Sequence, residues 1–89
     1  MGIFNDHIKH NYKNNIIEIE ARTTANFIEY DLIINNNKCD NIKGLLGNMK
    51  LRGYISINNK TTPLTIIIKQ SLFGTKYFLE TENNNIKLN

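Results

Sequence analysis

Met49-Lys50-Leu51-Arg52-Gly53-Tyr54-Ile55-Ser56-Ile57-Asn58 alternates apolar and polar residues with a period of two. Met49, Leu51, Ile55 and Ile57 point one way; Lys50, Arg52, Tyr54, Ser56 and Asn58 point the other. Successive side chains of a β-strand face opposite sides of a sheet, so this stretch reads as a half-buried antiparallel strand.

The same period recurs on both sides of it. Residues 15–22 set Ile17, Ile19 and Ala21 against Ile16, Glu18, Glu20 and Arg22. Residues 27–34 set Ile28, Tyr30, Leu32 and Ile34 against Phe27, Glu29, Asp31 and Ile33. Residues 64–70 and 76–82 follow suit, with Leu64, Ile66, Ile68, Tyr77 and Leu79 inward and Ile67, Lys69, Lys76 and Phe78 outward. The connecting segments are too short for parallel crossovers and are rich in Asn, Gly and Pro, the residues of turns. Residues 38–48 admit two readings, a short helix from Ile42, Leu45 and Leu46 or an edge strand over 42–46. Near the N-terminus Phe4, Ile8 and Tyr12 recur every four residues, which predicts a short helix over residues 3–12. The expected fold is therefore all-β or α+β. It is a small antiparallel meander of five to six strands, curled or closed into a small barrel, with a short N-terminal helix. A single domain over 1–89 is expected, with a helical arm at 1–14, the sheet at 15–82 and a frayed tail at 83–89.

Composition narrows the functional classes. The lone Cys39 excludes an intrachain disulfide. The longest runs of aliphatic residues, Leu32-Ile33-Ile34 and Ile66-Ile67-Ile68, are far short of a membrane span, and residues 1–15 lack a secretory apolar core. Met1-Gly2 is followed by Asp6 where a myristoylation motif needs Ser or Thr. A cytoplasmic protein with no membrane partner is expected. Asp6, His7 and His10 offer at most two imidazoles and a carboxylate, too few for a closed metal site, and no phosphate loop or nucleophile elbow is present. No enzymatic activity, catalytic residue, metal, cofactor or small-molecule substrate is expected.

Two surface features point to binding. Ile16, Phe27, Ile33, Ile67 and Phe78 are apolar at outward positions, where a solvated sheet face carries polar residues. They are candidate contacts for a protein partner, as in an inhibitor, an adaptor or a phage or mobile-element accessory protein. Such a module docks by its surface or by addition at a sheet edge formed by residues 15–22 or 76–82. A homodimer or other homo-oligomer is a further reading of the same residues. The second feature is charge. Glu18, Glu20, Glu29 and Asp31 precede a basic half holding Lys38, Lys43, Lys50, Arg52, Lys60, Lys69 and Lys76. Acidic and basic strands lying side by side would neutralise one another. A separate basic face would instead bind RNA or single-stranded DNA through Lys50, Arg52, Tyr54, Lys69 and Lys76. Arg52-Gly53-Tyr54 is followed by Ile55, Ser56 and Ile57 where RNA-recognition modules alternate aromatics, so no family is assigned.

Overall fold

The structure is a computed structural model that describes residues 5–82 and 84–88. It is all-β and antiparallel, with eight strands in chain order. These are β1 (Asn5–Tyr12), β2 (Asn15–Thr23), β3 (Ile28–Ile34), β4 (Asn37–Gly44), β5 (Gly47–Ile57), β6 (Lys60–Ser71), β7 (Gly74–Glu80) and β8 (Asn85–Lys87). Every strand pairs with its sequence neighbour except across Leu45-Leu46, where the ladder stops and the chain passes to a second sheet. Two four-stranded sheets result, β1–β4 and β5–β8. The expectation of one curled sheet of five or six strands is corrected accordingly.

The expected N-terminal helix is a strand. A spacing of four satisfies a period of two as well as a period of 3.6, and the described residues resolve the ambiguity. Asp6, Ile8, His10 and Tyr12 turn toward the interior, while His7, Lys9 and Asn11 are exposed. Phe4 lies outside the described residues. Lys13 and Asn14 then both adopt positive φ, the backbone of a type I′ turn, whose twist suits a two-residue hairpin. An adjacent antiparallel strand follows directly from that turn. Residues 37–44 are likewise strand, and the expected tail contributes β8.

The added strands move the edges. Residues 15–22 lie in β2, flanked by β1 and β3, and residues 76–80 lie in β7, flanked by β6 and β8. Residues 15–22 are thus paired on both sides, while 76–82 is covered by β8 over Phe78–Glu80; β1, β4, β5 and β8 are the outer strands. Part of the β5 edge is occupied within the chain. The Arg52 amide donates to Asp40 Oδ2 at 2.8 Å, and Asn15 Nδ2 donates to the Ser56 carbonyl at 2.9 Å.

The inward faces of both sheets meet in one core that includes Ile17, Ile19, Leu32, Leu51, Leu64, Ile66, Ile68 and Leu79, all essentially inaccessible to solvent. Each such side chain contributes about 1.5–3 kcal/mol relative to exposure. Tyr30 of β3 meets Tyr77 of β7 edge-on, with ring centroids 6.3 Å apart and planes at 73°, so the rings tie one sheet to the other. Gly53 is buried where β5 crosses the first sheet. A Cβ there would stand 2.8 Å from Ile34 Cδ1, so a side chain at this position would have to displace the end of Ile34. Among the described residues every buried side-chain nitrogen and oxygen has a hydrogen-bond partner. No described helix is long and apolar enough to cross a membrane.

Candidate functional site

The two outer faces carry opposite electrostatic solutions. On the first sheet, Glu18, Glu20, Glu29 and Asp31 lie in the middle strands, between Lys9 of β1 and Lys38 and Lys43 of β4. Ion pairs knit this face together. Arg22 reaches Asp31 at 2.8 Å, Glu29 at 3.2 Å and Glu20 at 3.9 Å; Lys38 reaches Asp31 at 3.2 Å; His7 Nε2 is 2.8 Å from Glu18. The acidic strands are thus neutralised inside their own sheet.

The outer face of the second sheet has no such balance. Its register makes transverse rows. Asn48, Lys69 and Lys76 form the first; Lys50, Ile67, Phe78 and Lys87 the second; Arg52, Thr65, Glu80 and Asn85 the third; Tyr54 and Pro63 the fourth. Lys50, Arg52, Lys69, Lys76 and Lys87 are all exposed, and Glu80 is the one acid in these rows. None of the five bases has a described carboxylate within 4.0 Å. Glu80 accepts instead from Asn85 Nδ2 at 3.3 Å, and Asp40 Oδ2 accepts the Arg52 backbone amide. Lys69 and Lys76 are direct cross-strand partners, an arrangement that is repulsive.

Aromatic groups lie among these charges. Tyr54 is 67% exposed, beyond Arg52 on the same side of β5. Phe78 is half-buried, with Lys69 Nζ 5.0 Å from its ring centroid. A cation over an aromatic face is attracted by the ring quadrupole, so Lys69 shields part of Phe78 while keeping its ammonium at the surface.

The structure brings Lys50, Arg52, Tyr54, Lys69 and Lys76 onto one face. The candidate protein contacts are divided. Ile67 and Phe78 are direct partners on this basic face, both half-buried. Ile16, at 36% exposure, and half-buried Ile33 lie on the outer face of the first sheet. Phe27 sits in the β2–β3 connection, half-buried, with Lys43 Nζ 5.4 Å from its ring. His7 and His10 turn to opposite sides of β1, as alternation in a strand requires; the Tyr77 hydroxyl donates to Asp6 Oδ2 at 3.3 Å. Cys39 is exposed in β4, its thiol donating to the Asn37 carbonyl at 3.3 Å.

Sequence reasoning missed Lys87 by assigning residues 83–89 to a tail. The alternation of half-buried Ile86 and Leu88 about exposed Lys87 carried the signal, on a segment too short to stand out. The same reasoning placed Leu72 and Phe73 in a hairpin loop at residues 71–75 but did not count them as contacts; their side chains are 84% and 100% exposed. Comparisons with protein-family profiles, with curated proteins and with solved structures find no match to this chain.

Proposed function

We propose that the protein binds single-stranded nucleic acid, RNA or single-stranded DNA, on the outer face of β5–β8 and catalyses no reaction on it. The observation that carries this reading is the direct opposition of Lys69 and Lys76 in a row without a carboxylate. Like charges placed opposite each other are destabilising. A phosphate between the two ammonium groups would convert that repulsion into attraction and release counterions. Lys50, Lys87 and Arg52 extend the positive track along the sheet, and Tyr54 and Phe78 offer ring surface for bases. Docking on a protein through Ile16, Phe27, Ile33, Ile67 and Phe78 is less well supported, because these residues are split between the two sheets, with Ile67 and Phe78 on the second and the others on the first or beside it.

The test is fluorescence anisotropy of a labelled single-stranded oligonucleotide across a salt series. For four to five phosphate contacts, log K is expected to fall against log salt with a slope of about −3 to −3.5. The pair K69E/K76E should weaken binding at least about tenfold at low salt. The pair K9E/K43E on the opposite sheet serves as a charge-matched control and should change it little. Absence of binding at low salt, or equal losses from the two double variants, overturns the proposal.

A further inference from the structure

Among the described residues, the two-residue connections between strands are sorted by polarity. At one end of the molecule the hairpins close on Lys13 and Asn14, Asn35 and Asn36, and Asn58 and Asn59, all with positive φ. At the other end the β4–β5 link is Leu45-Leu46 and the β6–β7 turn is Leu72-Phe73. Gly47 pairs with Gln70 and Ser71 with Gly74, so both apolar connections sit beside the Lys69–Lys76 row. Phe73 is fully exposed. Its turn is braced from within, since the Phe73 amide donates to Ser71 Oγ at 3.2 Å and that hydroxyl donates to the Gly74 carbonyl, also at 3.2 Å. Gln70 Nε2 donates to the Ser71 carbonyl at 3.1 Å.

Beside this turn lies an open depression of about 640 Å³ whose lining includes Phe73, Lys69, Lys76, Lys87, Asn48 and Gln70. One side of it is an aromatic ring, and the others carry cations and amides. We infer that the depression seats one unpaired nucleobase, stacked on Phe73, with the adjoining phosphate held by Lys69 and Lys76. The inference rests on the proposed nucleic-acid face and adds to it a preference for single strands, because bases inside a duplex do not offer their planes to a side chain. Asn48 supplies amide donors and acceptors toward the base edge. An apolar turn beside lysines would also suit an anionic lipid surface. The concave shape and the amide-bearing wall favour a planar heterocycle, and vesicles form the second arm of the test.

The full chain is titrated with a short single strand containing 2-aminopurine, whose emission is quenched on stacking, and with the matching duplex. Wild type should bind the single strand more tightly than the duplex and quench the probe. Phe73→Ala should lower single-strand affinity roughly five- to a hundredfold and abolish the quench, as expected for loss of one stacked base. Phe73→Trp should retain both. Because the ring touches solvent all round, far-UV circular dichroism should be unchanged in either variant. If wild type binds and Phe73→Ala matches it in affinity and quench, this inference fails while the basic face stands. If wild type does not bind the single strand, both fail. Loss of phosphatidylserine-vesicle binding by Phe73→Ala with oligonucleotide binding intact would overturn it in favour of a lipid-facing turn.

Discussion

Asp31 is only 4% exposed, yet it lies on the outer face of the first sheet among charged neighbours. Burial pushes its carboxyl group up, but hydrogen bonds from Asn41, Arg22 and Lys38 outweigh that and hold it below its ordinary value. Glu29 is lowered too, by Asn41 and then Arg22. A carboxylate whose folded pKa is depressed binds fewer protons folded than unfolded, so stability rises with pH through the titration window. The contribution is complete above about pH 5 and is lost as pH falls below about 4, through the folded values. Asp31→Asn should flatten that acid limb of a urea-denaturation pH series. It should also remove about 1–2 kcal/mol at pH 7, a figure kept modest because Arg22 and Lys38 are partly exposed. An unchanged acid limb would show that the network does not set acid stability.

The turns are the elements on which the fold depends for its register. Asn58 and Asn59 both occupy left-handed backbone, with φ of 51° and 63°. Asparagine visits that region readily, whereas a β-branched residue loses about 1–2 kcal/mol there. Asn59→Gly should leave the urea midpoint unchanged or slightly raised, and Asn59→Val should lower it by that amount; equal midpoints would discount the turn. These turns explain which strands were legible. Strands bounded by Asn pairs and built on alternating Ile and Leu stood out, as at residues 15–22, 27–34 and 49–58. β1 was hidden because its inward positions are held by Asp6 and His10 as well as Ile8 and Tyr12, leaving too few apolar residues to separate period two from a helical repeat. β4 was half legible: an edge strand over 42–46 was one of two readings of residues 38–48, but the segment alternates weakly, with only Ile42 contributing an aliphatic inward side chain.

At the scale of the whole molecule, the two sheets share one core and are bridged by Tyr30 and Tyr77, and by the Tyr30 hydroxyl, which donates to Gln70 Oε1 at 2.5 Å. Neither sheet has a second hydrophobic face on which to fold alone. Urea unfolding followed by near-ultraviolet circular dichroism of the tyrosines should coincide with the far-ultraviolet signal in a single transition. Two separated transitions would mean that the sheets unfold independently. The candidate site was partly legible at this scale. Parity along each strand grouped the outward lysines with Tyr54, but strand pairing decides whether acidic and basic strands are neighbours. Sequence alternation cannot specify that when a break such as Leu45-Leu46 parts the sheets. Phe73 was legible as a loop residue, at the surface where loops run, but nothing in the sequence sets it beside the lysine row; the register of β6 with β7 does.

Pairing of each strand with its sequence neighbour has a kinetic consequence. Each hydrogen-bonded ladder closes across a short connection, so little chain entropy is spent before contacts begin to form. Interleaved β-topologies must instead wait for distant segments to meet, which slows them. This chain can zip one hairpin after another as it leaves the ribosome, and it should mature faster than its all-strand content suggests.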